Sequence, residues 1–296
     1  MRLAGCFTAI ATPFRNGNVD FESLAKIVEH QIEGGVAGIV PCGTTGEAST
    51  LTSKEYDDVV KRVVEVAAGR VPVFPGTGSN STAVAVEKTR HAREAGATGA
   101  LVVTPYYNKP TQEGLFRHFE AIAKAVPGFP IILYEIPGRT AVSIDVETCA
   151  RLCVYNNIVA VKEASGKLER VTKLRQLTDL AVLSGDDAST LPIMALGGTG
   201  VVSVASNLVP ADVCALVAAV AEGEAQEALR MNDRLDDFFR ALFLETNPAP
   251  VKYALHRAGI FASDEVRLPL VTVGEKTRKE MDAAMMKLGF QLRGAQ

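Results

Sequence analysis

The sequence has no excess of basic residues, and this absence argues against nucleic acid as a partner. Its 31 Lys and Arg are outnumbered by 34 Asp and Glu, which gives a formal net charge of -3 at pH 7. A general nucleic-acid binder needs a basic surface to neutralise phosphates. The small acidic excess does not indicate a basic partner either. A hydrophobic content of 47% with 22% charged residues is typical of a compact soluble protein.

Cysteine and histidine are few, and their spacing matches no metal framework. The five cysteines are odd in number and follow no zinc pattern. Cys149 and Cys153 are four residues apart on a predicted helix, but no histidine joins them, and the four histidines fall on predicted helices. We therefore predict buried free thiols, no metal and no cofactor, with Asp186 and Asp187 as weak alternatives for metal ligands. Reduced thiols fit a cytosolic protein.

The sequence also lacks an uninterrupted apolar run long enough to cross a membrane. Residues 188–211 contain no Asp, Glu, Lys or Arg, but prolines and glycines interrupt them, which favours a buried strand-and-loop region. The motif LAGC at 3–6 resembles a lipoprotein cleavage box, yet only two residues precede it, too few for an apolar leader core. We expect a cytoplasmic protein that does not associate with membranes.

Short β-forming runs recur at intervals of roughly 20–35 residues and alternate with segments of helical periodicity. Asp20 is the expected N-cap of one helix that ends at Gly34 or Gly35, and Thr52 with Glu55 forms a predicted capping box for the next. The predicted strands are residues 6–10, 38–42, 71–77, 100–104, 130–135, 158–162, 181–185 and 200–204.

Eight strands that alternate with helices indicate parallel pairing through crossover helices. Their nearly continuous apolar character indicates burial on both faces. We predict an α/β protein with a closed (β/α)8 TIM barrel over residues 1–222 and a C-terminal helical appendage over residues 223–296, where the strand signal stops. A doubly wound open sheet is the alternative, although no Gly-x-Gly-x-x-Gly follows the first strand.

Lys162 ends a strongly apolar predicted strand, which is an unusual place for a cation. Alternation puts Ile158, Ala160 and Lys162 on one face. A lysine at a strand end commonly extends its amine to water, whereas a desolvated amine serves as a nucleophile. Because active sites of TIM barrels lie at the C-terminal ends of the strands, the position favours the nucleophile.

Other predicted strand ends carry polar groups that would face the same mouth. The GTTGE turn at 43–47 has glycines that let backbone N–H groups turn toward an anion, either a phosphate or a carboxylate. Tyr134 ends strand five, where a phenol can relay protons for an amine that forms an imine. Arg139 follows on a predicted loop and could clamp a carboxylate through two hydrogen bonds. Together these residues predict a lysine-dependent aldolase or lyase, with the turn holding an α-carboxylate such as that of pyruvate.

Five motifs, GTTGE, TPYYNKP, LYEIPGRT, VKEASG and SGDDA, resemble in order and spacing those of the dihydrodipicolinate (4-hydroxy-tetrahydrodipicolinate) synthase family. That family belongs to the pyruvate-dependent class I aldolases, together with acetylneuraminate lyase. The resemblance covers essentially the whole chain, including NPAPVKYAL near its end. It implies condensation of pyruvate with aspartate semialdehyde in lysine and diaminopimelate biosynthesis.

The resemblance also implies a role for each matching residue. Lys162 would form a Schiff base with pyruvate, and Tyr134 would donate and accept protons. Thr44 and Tyr107 would complete a proton relay, with Tyr107 reaching in from a neighbouring subunit. Thr45 would bind the pyruvate carboxylate.

Three further residues are implied to contact substrate. The backbone of Val202 and Gly185 would line the pocket, and Arg139 would face the carboxylate of the semialdehyde. The PGRT motif is similar to the synthase pattern rather than to the sugar-acid lyases. The resemblance implies a homotetramer, a dimer of dimers, in which at least a dimer is needed for full activity.

Glu135 departs from the family pattern, in which a small polar residue, often Asn, follows the strand-five tyrosine. Alternation points Glu135 away from Tyr134, toward the layer between barrel and helices. A carboxylate buried there needs a hydrogen-bond partner, so we expect the local packing to differ while catalysis is retained.

The positions that match the allosteric cleft of lysine-inhibited relatives also differ. Those relatives carry His and Glu residues in the cleft, and the matching positions here hold Ser53, Tyr56 and Val84. Asn80 and Tyr106 remain. The resemblance thus implies weak or absent feedback inhibition by L-lysine.

Two alternatives stay open at the level of the sequence. A pyruvate-dependent aldolase or lyase for a sugar acid or N-acetylneuraminate would use the same imine chemistry, and Arg139 is the residue that argues against it. A non-catalytic binding or sensor protein that kept the barrel would not need Lys162, Tyr134, Thr44 and Tyr107 together.

Overall fold

A parallel sheet of seven strands forms the centre of the computed structural model, which describes residues 3–293. Neighbouring strands follow the order β4-β1-β9-β8-β7-β6-β5, and β2 and β3 form a small antiparallel hairpin apart from it. The strands are β1 (Gly5–Ala9), β2 (Phe14–Arg15), β3 (Asn18–Val19), β4 (Gly38–Val40), β5 (Ala100–Val103), β6 (Ile131–Glu135), β7 (Ile158–Glu163), β8 (Ala181–Ser184) and β9 (Gly200–Ser203).

Residues 71–77 fill the gap between β4 and β5 and close the barrel. The Pro72 carbonyl accepts from the backbone N–H of Ile39, and the Pro75 carbonyl accepts from that of Leu101, both at 2.9 Å. Proline has no N–H to donate, so this segment forms isolated bridges instead of a regular ladder. The prediction of an eight-stranded TIM barrel is confirmed, and the open-sheet alternative is wrong.

Helices follow the strands and cover the outside of the barrel. Their starts agree with the capping pattern: the Asp20 side chain accepts from two backbone N–H groups, and the Thr52–Glu55 capping box is formed. A 3-10 turn spans Ala205–Asn207. The α-helices of residues 3–293 are α1 (Phe21–Glu33), α2 (Ser53–Ala67), α3 (Thr82–Glu94), α4 (Gln112–Ala125), α5 (Pro137–Thr140), α6 (Val146–Leu152), α7 (Leu168–Leu177), α8 (Thr190–Ala195), α9 (Pro210–Glu222), α10 (Ala225–Ala241), α11 (Ala249–Arg257) and α12 (Glu275–Lys287).

Alternate strand residues fill the barrel interior, and the remaining ones pack against the helices. The interior is apolar below the mouth, so it is a packed core and not a channel. Its members are Leu3, Phe7, Ala9, Val40, Phe74, Leu101, Ile132, Tyr134, Ala160, Ala181, Leu183 and Val202.

A β-bulge in β7 corrects one predicted side-chain direction. Ile131 of β6 pairs with Ile158, but Ile132 pairs with Ala160, so one residue of β7 is left without a partner. Ala160 consequently lies in the interior, whereas Ile158 packs in the layer between barrel and helices. The prediction that Ile158 shares a face with Lys162 is wrong, because the bulge interrupts the alternation.

The last three helices pack on the barrel and on one another. Helix α10 lies against α9, and α12 contacts both α10 and α11. Nearly every residue of α11 is buried, including Lys252. The division of the chain after residue 222 stays a prediction. Within residues 3–293, no helix is both long and apolar enough to span a membrane.

Candidate active site

Lys162 and Tyr134 meet at the C-terminal end of the barrel. They are register partners on the adjacent parallel strands β7 and β6, so their side chains project on the same side of the sheet. The Lys162 Nζ lies over the Tyr134 ring, 4.2 Å from its centroid. Each residue is only 5% exposed. The predicted contact between a desolvated amine and a phenol is therefore present.

Gly185 leaves space for the Lys162 side chain. It follows β8, and its backbone N–H donates to the Glu163 carbonyl at 2.8 Å. A Cβ at position 185 would lie 2.6 Å from the Ala164 Cβ and 3.1 Å from the Lys162 Cε. Any larger residue would push the lysine aside. A direct contact of Gly185 with substrate stays a prediction.

The GTTGE turn follows β4 and lies at the same end of the barrel. Left-handed φ angles occur at Cys42 (53°), which precedes the turn, and at Glu47 (52°), its last residue, and not at Gly43 or Gly46. A left-handed angle is therefore not what requires glycine at these two positions, and the prediction that backbone N–H groups of this turn face an anion stays a prediction. Gly46 is required for a different reason, because a Cβ there would lie 2.8 Å from the Cys42 nitrogen.

Residues of the C-terminal segment hold this turn in place. Asn247 Nδ2 donates to the Thr45 Oγ1 at 3.0 Å. Lys252 Nζ donates to Glu47 Oε1 at 2.6 Å in a buried ion pair, and Glu47 Oε2 accepts from the Arg267 backbone N–H at 2.9 Å. Desolvation lowers the pKa of Lys252 to about 8, although Glu47 opposes the change. Both carboxylate oxygens of Glu47 are thus occupied.

Sequence reasoning did not find Asn247 and Lys252, although both lie in the NPAPVKYAL motif. One signal was available. Lys252 is the only charged residue between Asn247 and Leu255, and a single lysine in an apolar helical stretch indicates a buried partner. No sequence pattern indicated that this partner is Glu47.

Arg139 lies on the one-turn helix α5, where the sequence predicted a loop. Its side chain is exposed, and its Nη2 is 3.5 Å from the Asn247 carbonyl oxygen. A cleft of about 690 Å³ opens here, with Arg139, Ala164 and Asn247 in its lining. Lys162 and Tyr134 are not among the lining residues. The cleft therefore borders the segments that follow β6 and β7.

The reverse face of the same strand ends is also polar. Glu135 is fully buried, and its carboxylate accepts from the Ser143 Oγ at 2.5 Å and from the Ile144 N–H at 3.0 Å. Its neighbour Glu163 accepts from the Arg170 Nε at 3.1 Å. Burial raises the pKa of Glu135. The expected direction of Glu135 and its need for partners are both confirmed.

Tyr107 does not reach Lys162 within one chain. Its side chain is 87% exposed, and its φ of 75° lies in the left-handed region that a non-glycine residue rarely adopts. Thr44, in contrast, is half-buried in the turn after β4. Val202 is buried in β9 opposite Phe7 of β1, with its side chain in the barrel interior, and a backbone contact with substrate stays a prediction.

Asp186 and Asp187 are the weak alternative for a metal site, and the structure gives the Asp187 carboxylate hydrogen-bond partners instead. Asp187 is buried, and its carboxylate accepts from the Ser203 Oγ at 2.5 Å and from two backbone N–H groups at 2.9 Å. Burial raises the pKa of this carboxyl group. Across residues 3–293, no group of three or more His, Cys, Asp or Glu side chains is placed to hold a metal ion.

Comparison with known proteins gives one consistent result. The model of the dihydrodipicolinate synthetase family matches residues 2–288. A 4-hydroxy-tetrahydrodipicolinate synthase of Citrifermentans bemidjiense is 53% identical over 283 residues, covering 95% of this chain and 97% of that protein. The one of Syntrophus aciditrophicus is 50% identical over 288 residues, covering 97% and 98%. The crystal structure of dihydrodipicolinate synthase from Aquifex aeolicus is 44% identical, with a TM-score of 0.96 over 99% of this chain and 100% of that one.

Proposed function

Because the chain belongs to the dihydrodipicolinate synthetase family, we propose that it is a lyase that condenses pyruvate with L-aspartate 4-semialdehyde. The product is 4-hydroxy-tetrahydrodipicolinate, in the biosynthesis of lysine and diaminopimelate. The observation that carries this proposal is the buried Lys162 amine, 4.2 Å from the centre of the Tyr134 ring at the C-terminal end of the barrel.

Lys162 supplies the nucleophile in this reaction. Its unprotonated amine attacks the C2 carbonyl of pyruvate, and loss of water gives an imine. The protonated imine makes the methyl group acidic, and loss of a methyl proton gives an enamine whose carbon attacks the aldehyde. The amino group of the semialdehyde then attacks C2, closes the ring and releases Lys162. Burial of the amine protects the imine from premature hydrolysis.

Tyr134 would carry protons to and from the amine, which lies over its ring. A positioned phenol can take the proton that the attacking amine loses and return it to the departing hydroxyl. Thr44 and Tyr107 extend this relay toward solvent in our proposal. Tyr107 would have to come from a second copy of the chain, which is supported by its exposure and its left-handed backbone.

Two carboxylate sites flank the amine. Thr45, in the turn after β4, would donate its hydroxyl to the carboxylate of pyruvate, and Arg139 would bind the carboxylate of the semialdehyde at the cleft. The backbone of Val202 and the space above Gly185 would complete the pyruvate pocket. The exposed guanidinium of Arg139 is free to form the two parallel hydrogen bonds that a carboxylate accepts.

Our proposal also covers the assembly and the location of the protein. A homotetramer built from two dimers would supply Tyr107 to each site, and loss of the dimer would then remove a proton carrier. The division into a barrel of residues 1–222 and a helical segment of residues 223–296 stays a prediction, as does a cytoplasmic location.

Turnover of pyruvate with a small panel of aldehydes tests the reaction. The panel includes aspartate semialdehyde and N-acetylmannosamine, and borohydride trapping with mass spectrometry reports the imine on Lys162. We expect turnover with the semialdehyde alone and no trapping or turnover in Lys162→Ala. Turnover with the sugar aldehyde alone would keep the imine chemistry and overturn the assignment of Arg139. Absence of trapping in the unmodified protein would overturn the proposed function itself.

A further inference from the structure

Asn247 contacts both of the proposed carboxylate sites. Its side-chain Nδ2 donates to the Thr45 Oγ1 at 3.0 Å, and its backbone carbonyl is 3.5 Å from the Arg139 Nη2. Asn247 is 5% exposed. One buried residue thus connects the turn that would hold pyruvate with the helix that carries the guanidinium.

The direction of the side-chain hydrogen bond matters for pyruvate. A hydroxyl has one proton to donate and can accept through its lone pairs. Because the Asn247 amide already donates to the Thr45 oxygen, the Thr45 proton is left to donate elsewhere, as a carboxylate ligand requires. The Asn247 Oδ1 is buried and has no hydrogen-bond partner within residues 3–293. A buried oxygen without a hydrogen-bond partner is unfavourable, and this is the consequence of the amide orientation in which the nitrogen faces Thr45.

The segment that carries Asn247 is fixed to the same turn at a second point. Five residues further along the chain, Lys252 forms its buried ion pair with Glu47, which directly follows the GTTG sequence. The turn is therefore held at Thr45 and at Glu47 by two side chains of one short segment. A rigid support of this kind is what a carboxylate site needs for its hydroxyl to keep one orientation.

We propose that Asn247 is a positioning residue for pyruvate: it orients the Thr45 hydroxyl so that its proton points at the substrate carboxylate. The inference rests on the proposed function and adds a determinant of pyruvate affinity to it. Asn247 acts through Thr45 and not on the semialdehyde, because its only contact with Arg139 is through the backbone, which side-chain substitution leaves in place.

The test is a double-mutant cycle of Asn247→Ala and Thr45→Val. The main readout is the pyruvate concentration that half-saturates borohydride trapping of Lys162, which needs no aldehyde. We expect each single variant to raise this concentration roughly tenfold, the size of one lost hydrogen bond. We expect the double variant to resemble Thr45→Val alone, because Asn247 then has no hydroxyl to orient. The KM for the semialdehyde should change less than twofold, within the spread of independent sites.

Asn247→Asp separates orientation from simple structural support. A carboxylate at this position would accept the Thr45 proton and also repel the carboxylate of pyruvate. We therefore expect it to raise the half-saturating pyruvate concentration more than Asn247→Ala, although Asp is closer to Asn in shape. If the residue only supported the fold, the loss of pyruvate affinity in both variants would instead follow their loss of thermal stability, measured by a thermal melt.

Asp282→Asn is the matched control. Asp282 accepts from the Tyr253 hydroxyl at 3.0 Å and from the Arg257 Nε and Nη2 at 3.1 and 3.0 Å, and these partners all lie in the C-terminal helices. It should leave pyruvate affinity unchanged. Equal effects on both substrates, additive effects in the cycle, or no effect of Asn247→Ala would each overturn the proposal. Absence of trapping in the unmodified protein would instead count against the proposed function.

Discussion

The two faces of the strand ends β6 and β7 differ in what their polar groups contact. On the inner face, the Lys162 amine lies over the Tyr134 ring, where we propose that the substrate binds. On the outer face, one residue further along each strand, Glu135 and Glu163 are bound by hydroxyl, backbone and guanidinium donors. Two neighbouring residues on each strand thus form the proposed reactive face and a second face whose polar groups are already hydrogen-bonded.

The difference shows how a buried strand end can serve chemistry and stability together. A buried donor or acceptor without a partner is costly in a protein interior. We therefore expect such groups only where a substrate would bind them. Arg170 stabilises the outer face by donating to Glu163 and, through its Nη2, to the Ile144 carbonyl at 2.9 Å. This contact joins helix α7 to the segment between α5 and α6. Substitutions on the inner face should therefore affect turnover, and those on the outer face should affect stability.

Among substitutions on the two faces of β6 and β7, Tyr134→Phe should have the largest effect, and that effect is on kcat. It keeps the ring beneath the amine and removes only the hydroxyl, so we expect kcat to fall by about 10²–10⁴, the range of one proton carrier. The thermal midpoint should not move. Steady-state turnover and a thermal melt measure both quantities.

Tyr155→Phe is the matched control for this prediction. The Tyr155 hydroxyl donates to Glu120 at 2.5 Å on the outside of the barrel, so its loss should leave kcat unchanged. If Tyr134→Phe lowers the melting temperature and not kcat, the inner face is structural and the comparison fails.

Glu163→Ala should lower the free energy of unfolding by about 3 kcal/mol, because it leaves the largely buried Arg170 guanidinium without its partner. Urea unfolding at pH 7 measures this change. The exposed Glu169→Ala in α7 is the matched control and should change stability by less than about 0.5 kcal/mol. A similar result for both variants would mean that the ion pair of Glu163 with Arg170 does not stabilise the fold.

Glu135→Gln should have the smallest effect, and its sign depends on pH. Burial raises the pKa of Glu135 in the folded state above the ordinary value of 4.5. Its stabilisation is thus fully present below pH 4.5 and is lost as the pH rises through the folded-state pKa. We expect Glu135→Gln to be more stable than the unmodified protein at pH 7, by about 1 kcal/mol or less. The difference should vanish near pH 4.

Unfolding in urea at pH 4, 5.5 and 7 measures this dependence. Glu169→Gln, on the exposed surface of α7, should show no such difference across the same range. A gain for Glu135→Gln that grows toward acid would have the opposite sign and would show that the ionised form is favoured in the folded protein.

Strand positions and their order were accessible from the sequence, because period-2 alternation and apolar runs are local properties. The structure differs from the predicted strands where proline or a bulge interrupts the regular alternation. Residues 71–77 form only bridges because of their prolines, and the bulge in β7 moves Ile158 to the outer layer. Left-handed angles occur at Cys42 and Glu47 and not at Gly43 or Gly46, and Gly46 is needed because a Cβ there would lie 2.8 Å from the Cys42 nitrogen, a contact that no local pattern indicates.

The barrel and the placement of Lys162 and Tyr134 at strand ends follow from the sequence alone, because periodicity indicates the strands and parallel strands present their C-terminal ends together. The register that sets Lys162 opposite Tyr134 depends on the bulge in β7, which no sequence pattern indicated. Only the tertiary structure decided what supports the carboxylate turn. Asn247 and Thr45 are 202 positions apart, and Lys252 and Glu47 are 205. No local pattern specifies a partner across such a separation, because the contact exists only after the barrel has closed and the C-terminal helices have packed onto it.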